Sequence, residues 1–367
     1  MMRVLDLIHR WTGGLIGLLL AVLGLSGAML IHKDAFLRAA VPHAAEAYRG
    51  DAAAIGGAAA RLFDAEGGPR SIVLATDGRG IHQLNFGKGA GGYADQAGDI
   101  ITRWDTSWER PEIWLFDLHH HLLTGDTGET IAGIAGLIGI GFVITGIILW
   151  WRTRKTFEFR VWPKRMSRPA IVRHHRDLGV VIAPLLFLSM LTGTMLVLKP
   201  VRNFLLSPFS TPAEMQAALA PPKVAGGALA LKGQDWVRLV AAAKARFPDA
   251  EPRVIAVPDE PGELIAMRLR RADEWLPQGR TYVWFDPADG HVVGTRDALT
   301  LPLGSRIFNI AYPVHAAKVG GLLYRLVMTV SGLTLAMLGS LAVFTFWSSR
   351  GQQRRARRAP APARARG

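Results

Sequence analysis

The sequence predicts a mainly α-helical membrane protein: four transmembrane helices arranged as a duplicated helix–domain–helix unit, with two small α+β exterior domains. Three observations predict it. Half of the 367 residues are hydrophobic, and they gather into four long runs. Basic residues crowd the segments on one side of those runs. The two halves of the chain repeat one another at fixed offsets.

The apolar runs lie at about Trp11–Ile31, Ile131–Trp151, Val180–Leu198 and Leu322–Trp347. A bilayer span needs about 20 apolar residues, and a helix satisfies its own backbone polar groups where no water can. Glycines recur in the runs, among them Gly13, Gly14, Gly17, Gly133, Gly136, Gly139, Gly332 and Gly339. Small residues at such spacings let helices, or a flat cofactor, approach the backbone; taken alone, helix packing is the simpler reading. The first run, preceded by Arg3 and Arg10, also has the look of a signal peptide. Its length and its place in the repeat favour retention.

Charge orients the spans. Arg152, Arg154, Lys155, Arg160, Lys164, Arg165, Arg168, Arg173 and Arg176 fall between the second and third runs, against one acid, Glu158. The segment after the fourth run carries Arg350, Arg354, Arg355, Arg357, Arg358, Arg364 and Arg366 with no acid. By the positive-inside rule both are cytoplasmic, and so are both termini. The net charge of +14 then reads as topology and contact with anionic lipid, with no nucleic-acid partner. The absence of cysteine excludes disulfides, iron–sulfur clusters, thiolate zinc sites and covalently attached haem.

The two segments between spans read as small folded domains. Residues 50–66 suggest a helix, followed by strands at Ser71–Ala75, Ile81–Phe86 and Ile100–Trp104. Trp236–Phe247 is an amphipathic helix, followed by strands at Arg253–Val257, Leu264–Arg270, Tyr282–Phe285 and His291–Gly294. The expected organisation is helix 1 (1–34), a first exterior domain (35–112), helix 2 (113–152) and a basic loop (153–173). Helix 3 (174–200), a second exterior domain (201–307), helix 4 (308–349) and a disordered basic tail (350–367) follow.

The repeat directs attention to histidines. His9-Arg10-x-x-Gly13 and Ser26-Gly27-x-Met29-Leu30 match His175-Arg176-x-x-Gly179 and Thr192-Gly193-x-Met195-Leu196 at one offset (175 − 9 = 166). His119, Gly125, Gly136-Leu137, Trp151 and Arg154 match His315, Gly321, Gly332-Leu333, Trp347 and Arg350 at another (315 − 119 = 196). His9 and His175 enter from the cytoplasmic side, His119 and His315 from the exterior. One matched pair per leaflet is the arrangement that two stacked bis-histidine haems need. Arg10 and Arg176 are placed to pair with haem propionates. A lone histidine at a helix end is ordinarily an interfacial residue; four at matched positions are harder to explain so. His32, His120 and His174 are alternate ligands, and the His119–His121 run also suits a copper or zinc ion. Asp126 and Glu129 read as solvated, and His43, His82 and His291 as having no special role.

The stretches IHRWTGGLIGLLLAVLGLSGAML, DLHHHLLTGDTGETIAGIAGLIGIGFVITGIILWW, HRDLGVVIAPLLFLSMLTGTMLVL and PVHAAKVGGLLYRLVMTVSGLTLAMLGS resemble the PepSY-associated transmembrane helix proteins. These are bacterial iron-regulated membrane proteins that include ferric-siderophore reductases. YVWFDPADGHVVG is similar to the last strands of a PepSY domain. The resemblance implies two periplasmic PepSY-like domains and two b-type haems in the inner membrane, with His9, His119, His175 and His315 matching family histidines. It implies reduction of a ferric siderophore or other ferric chelate. Some relatives carry a flavin reductase domain; here a separate donor, quinol or a cytoplasmic flavoprotein, is expected. The rival reading is non-enzymatic: a membrane-anchored PepSY module that binds or regulates a periplasmic protease or partner protein. Transport of iron through the bundle is a third, disfavoured by the few polar residues in the spans.

Overall fold

The structure, a computed structural model, describes residues 2–222 and 232–358. In chain order the first half holds α1 (Met2–Leu30), α2 (Lys33–Ala40), α3 (Ala52–Asp64), β1 (Ser71–Val73), β2 (His82–Gly87), β3 (Ala90–Ala94), β4 (Ile100–Trp104), α4 (Pro111–His121) and α5 (Asp126–Trp151). The second half holds α6 (Arg168–Val197), α7 (Lys199–Leu206), α8 (Pro212–Leu219), α9 (Trp236–Arg246), β5 (Ala250–Ala256), β6 (Ile265–Arg271), β7 (Thr281–Phe285), β8 (Val292–Arg296), α10 (Leu303–His315) and α11 (Gly321–Arg358). The chain divides into two compact units. Among the described residues, one comprises 2–29, 119–198 and 322–358, the other 30–118, 199–222 and 232–321.

The first unit is the helical one. Four helices, α1, α5, α6 and α11, are long and apolar enough to cross a membrane. They leave large apolar side chains exposed, among them Leu15, Leu18, Ile144, Ile148, Val181 and Val330. Such a surface suits hydrocarbon as its solvent and is unfavourable in water. The helices extend further than the apolar runs: α1 begins at Met2 and α6 at Arg168, so His9 and His175 lie within helices. α11 continues to Arg358, into the tail expected to be disordered; residues 359–367 lie outside the described residues.

Glycine sets the closest helix contacts. A Cβ on Gly24 would stand 2.6 Å from the Gly332 carbonyl oxygen, and one on Gly17 2.9 Å from that of Gly339. The two glycines are seven residues apart on each of α1 and α11, two turns, so both meet the partner on one face. α5 and α6 pack through Gly136, where a Cβ would lie 2.5 Å from Thr194 Oγ1, and through Gly139 against Met190. Apolar packing of Val143, Leu178, Ile182, Leu186 and Leu338 fills the space between α5, α6 and α11.

The second unit is built on one antiparallel sheet of eight strands in the order β4-β3-β2-β1-β5-β6-β7-β8. The two segments expected to fold as separate domains share it: Ser71, Ile72 and Val73 of β1 pair with Ala256, Ile255 and Val254 of β5. α3 and α9 cover one face together, with Ile55, Leu62, Trp236 and Leu239 packed on Ile72, Ile255 and Phe285. Their approach is tight, since a Cβ on Gly56 would lie 2.6 Å from the Val237 backbone. Adjacent strand residues point to opposite faces. Ala94 therefore joins the α3–α9 core while Tyr93 packs with Leu37, Val41 and Trp104 on the other side. Asp51 caps α3 by accepting from Ala54 N at 2.8 Å, and Asp235 caps α9 by accepting from Arg238 N at 2.9 Å.

Candidate functional site

Two groups of residues in the helical unit merit attention, and each centres on a histidine that α1 helps to position. At the first, His9 of α1 and His175 of α6 meet edge to face with ring centres 6.3 Å apart and planes at 83°. Phe142 of α5 packs on the His9 ring, its centre 5.2 Å away. His9 Nδ1 lies 2.8 Å from Thr145 Oγ1. That hydroxyl sits 2.7 Å from the Gly141 carbonyl, to which it donates its one proton. It must therefore accept from His9, which places the imidazole proton on Nδ1 and the lone pair on Nε2.

The second group repeats this arrangement. His119 of α4 leans on α1 where glycine leaves room: a Cβ on Gly27 would lie 2.9 Å from the ring Cε1. His119 Nδ1 is 2.9 Å from Ser26 Oγ, and Ser26 donates to the Val22 carbonyl at 2.7 Å. The same logic gives the same tautomer. Thr192 stands where the repeat places the equivalent of Ser26 and likewise donates backward, to the Leu188 carbonyl at 2.7 Å. An oxygen acceptor that holds Nδ1–H, leaving the ring lone pair on Nε2, is the kind of outer-sphere support that metal-ligating histidines use.

The remaining expected residues separate into two kinds. His175 Nδ1 is buried with no hydrogen-bond partner, and its ring comes within reach of the Leu338 backbone. His174 is turned elsewhere, with Nε2 3.0 Å from the Val161 carbonyl. His315 ends α10 and His32 precedes α2, both in the sheet unit. Arg10 is exposed and tied loosely to Asp6 at 3.4 Å. Arg176 is committed within the protein. It grips Asp177 through Nε at 2.7 Å and Nη2 at 2.8 Å, and donates to Thr156 Oγ1 and O. The Asp177 carboxylate also accepts from Glu158 N, so this pair pins the loop that precedes α6. A free guanidinium for a propionate, expected at Arg176, is therefore not what the structure provides.

Sequence reasoning missed Thr145 and Phe142, which no repeat or motif marks. Ser26 and Thr192 were within the repeated motif, and the signal for them was their match as hydroxyl residues at one offset. Open space adjoins both histidine motifs: a Cβ on Gly13 or on Gly179 would meet nothing within 4 Å.

Four long apolar helices and an antiparallel sheet domain define a multi-pass membrane protein. The chain belongs to the PepSY-associated TM region family, which it matches over residues 7–350, nearly its whole length. No curated protein matches it significantly.

Proposed function

We propose that this protein is a two-haem b electron-transfer protein of the bacterial inner membrane. It would reduce a ferric siderophore or other ferric chelate on the periplasmic side for iron uptake. The observation that carries the reading is the His9–His175 pair. The His9 and His175 rings, 6.3 Å apart, would together hold a haem iron, since two imidazoles sharing one iron would have centres about 6 Å apart. His9 presents Nε2 in the coordinating tautomer because Thr145 holds its Nδ1–H. An imidazole nitrogen buried without a partner, as on His175, costs free energy unless something bonds to the ring there. His119, held the same way by Ser26, is the corresponding candidate ligand toward the other membrane face.

A bound haem supplies one-electron redox chemistry, and a pair of them across the bilayer supplies a path for electrons. The chain's own tasks are different. The hydroxyls of Thr145 and Ser26 orient imidazoles and raise their basicity. The apolar helices exclude water, and Phe142 packs beside the His9 ring. The basic segment at 152–176 stays cytoplasmic and fixes both termini on that side. The sheet unit then faces the periplasm as a pair of PepSY-like modules fused through β1 and β5. Duplication of a helix–domain–helix unit is supported by the matched strand order on either side of that junction.

The test is optical. Purified protein should give a b-type reduced-minus-oxidised difference spectrum and two haems per chain, and dithionite-reduced protein should reduce a ferric chelate. A preparation with native folding and no haem bands rejects the reading in favour of a cofactor-free binding module.

A further inference from the structure

The turn between α4 and α5 holds a second set of metal-type ligands that the haem reading does not use. His120 and His121 end α4, and Glu129 lies in the first turn of α5. One ligand atom from each falls within 4.8 Å of the others. His120 Nδ1 and His121 Nε2 are 3.0 Å apart. Four-coordinate ions with bonds of about 2.0–2.1 Å hold neighbouring ligand atoms roughly 3.4 Å apart. The two imidazole nitrogens now share a hydrogen bond at 3.0 Å, and an ion would take the place of its proton, with the Glu129 carboxylate within 4.8 Å as the third ligand.

The backbone builds this convergence. Leu122 and Leu123 both take left-handed conformations, φ 49° and 61°, and Gly125 follows at 63°. β-carbon-bearing residues seldom adopt such angles, least of all two in succession. The turn brings α5 back on the end of α4 so closely that a Cβ on Gly128 would stand 1.6 Å from the His121 carbonyl oxygen. Glu129 is thereby carried to the two imidazoles. All three side chains are half-buried, accessible to an ion yet partly shielded from competing water.

We propose that His120, His121 and Glu129 bind a divalent first-row transition-metal ion. Two imidazoles and one carboxylate on one side of an ion leave its other positions for water or an arriving donor, the ligand set suited to Fe2+ and Zn2+. The site uses none of His9, His119, His175 and His315. If the reduction proposed above occurs, Fe2+ is the ion it releases, and Zn2+ serves as a redox-silent probe. The experiment uses full-length, untagged, haem-loaded protein in detergent, stripped with chelator and titrated with Zn2+ against a chromophoric competitor. One Zn2+ per chain is expected. His121→Ala and Glu129→Gln should each weaken it by at least about tenfold, with haem content and thermal unfolding unchanged. Absence of saturable binding, or an affinity in either variant equal to that of the unsubstituted protein, overturns the proposal; should His121→Ala misfold, the near-isosteric Glu129→Gln decides alone. Zn2+ binding by a haem-free preparation rejects the electron-transfer reading and leaves this site standing. Haem-loaded protein that fails to bind rejects only the site.

Discussion

His82 makes the sheet unit sensitive to acid, and the size of the effect follows from its surroundings. The side chain is 2 % exposed at the start of β2. Its Nδ1 accepts a hydrogen bond from Ala75 N at 3.0 Å, which requires an unprotonated nitrogen. Burial, and next the Arg79 cation, hold its pKa down to about 4 from the usual 6.5. A depressed histidine pKa means that the folded state resists protonation while the unfolded chain accepts it. The associated stability is complete above pH 6.5 and is lost as pH falls toward 4. At about 1.4 kcal/mol per pKa unit the whole effect is about 3 kcal/mol, of which about 2 kcal/mol is lost between pH 7 and pH 5. For a unit of this size that is a Tm decrease of about 4–8 °C. The measurement is thermal unfolding of the full chain in detergent at both pH values, beside His82→Asn, whose amide oxygen can replace Nδ1 as acceptor without titrating. The difference between the two proteins isolates His82, since other titrating groups are common to both. Identical pH dependence in the two would refute the reasoning.

Further outcomes follow from the helical unit. His175→Ala should remove about one haem per chain, and His9→Ala the same haem; unchanged haem content in either rejects that ligand assignment. Thr145→Val should leave the fold intact yet weaken haem retention by about 10- to 100-fold, because the His9 Nδ1–H loses its acceptor; competition with a haem-scavenging apoprotein measures it. Gly339→Leu should destabilise the bundle by about 1–3 kcal/mol, since even a Cβ would lie 2.3 Å from the Gly17 carbonyl oxygen, whereas Gly13→Ala in open space should not lower the Tm. Arg176→Ala should cost about 3 kcal/mol by leaving the Asp177 carboxylate buried without its partner, visible as a lower unfolding temperature and faster proteolysis of the loop at 157–166.

What the sequence displayed was what local physics controls. The four spans were legible because hydropathy alone marks them, and seven of the eight strands because each alternates or runs β-branched within its own few residues. β3 was not, because AGGYA carries little β propensity; it forms because β2 and β4 flank it and Tyr93 has a core to enter. The pairing of β1 with β5 was not legible either. It joins residues some 180 positions apart, and no local pattern specifies which edge strand meets which. The break at Leu122–Gly125 was hidden inside what read as one continuous approach to the second span. His82 read as idle because burial is a tertiary property. Of the site, the histidines were visible through the repeat, while Thr145 and Phe142 appear only when α5 is laid beside α1.

The contacts show a further regularity, which bears on why the site lies where it does. α1, from the first half of the chain, packs through its glycines on α11 of the second half; α5 packs on α6, and β1 on β5. Each half thus finds its closest partner in the other, and neither buries its apolar face alone. The hydroxyls that orient the imidazoles come from within the first half: Thr145 serves His9, and Ser26 serves His119. The ring that His9 faces, His175, comes from the second half. Orientation is therefore set inside one half, and the pairing is completed only across the seam between halves. Thr145 holds the His9 ring from within its own half, whereas His175 meets it only across the seam. Under the proposed reading, two histidine-bearing halves would thus form between them a pair of imidazoles that neither half contains.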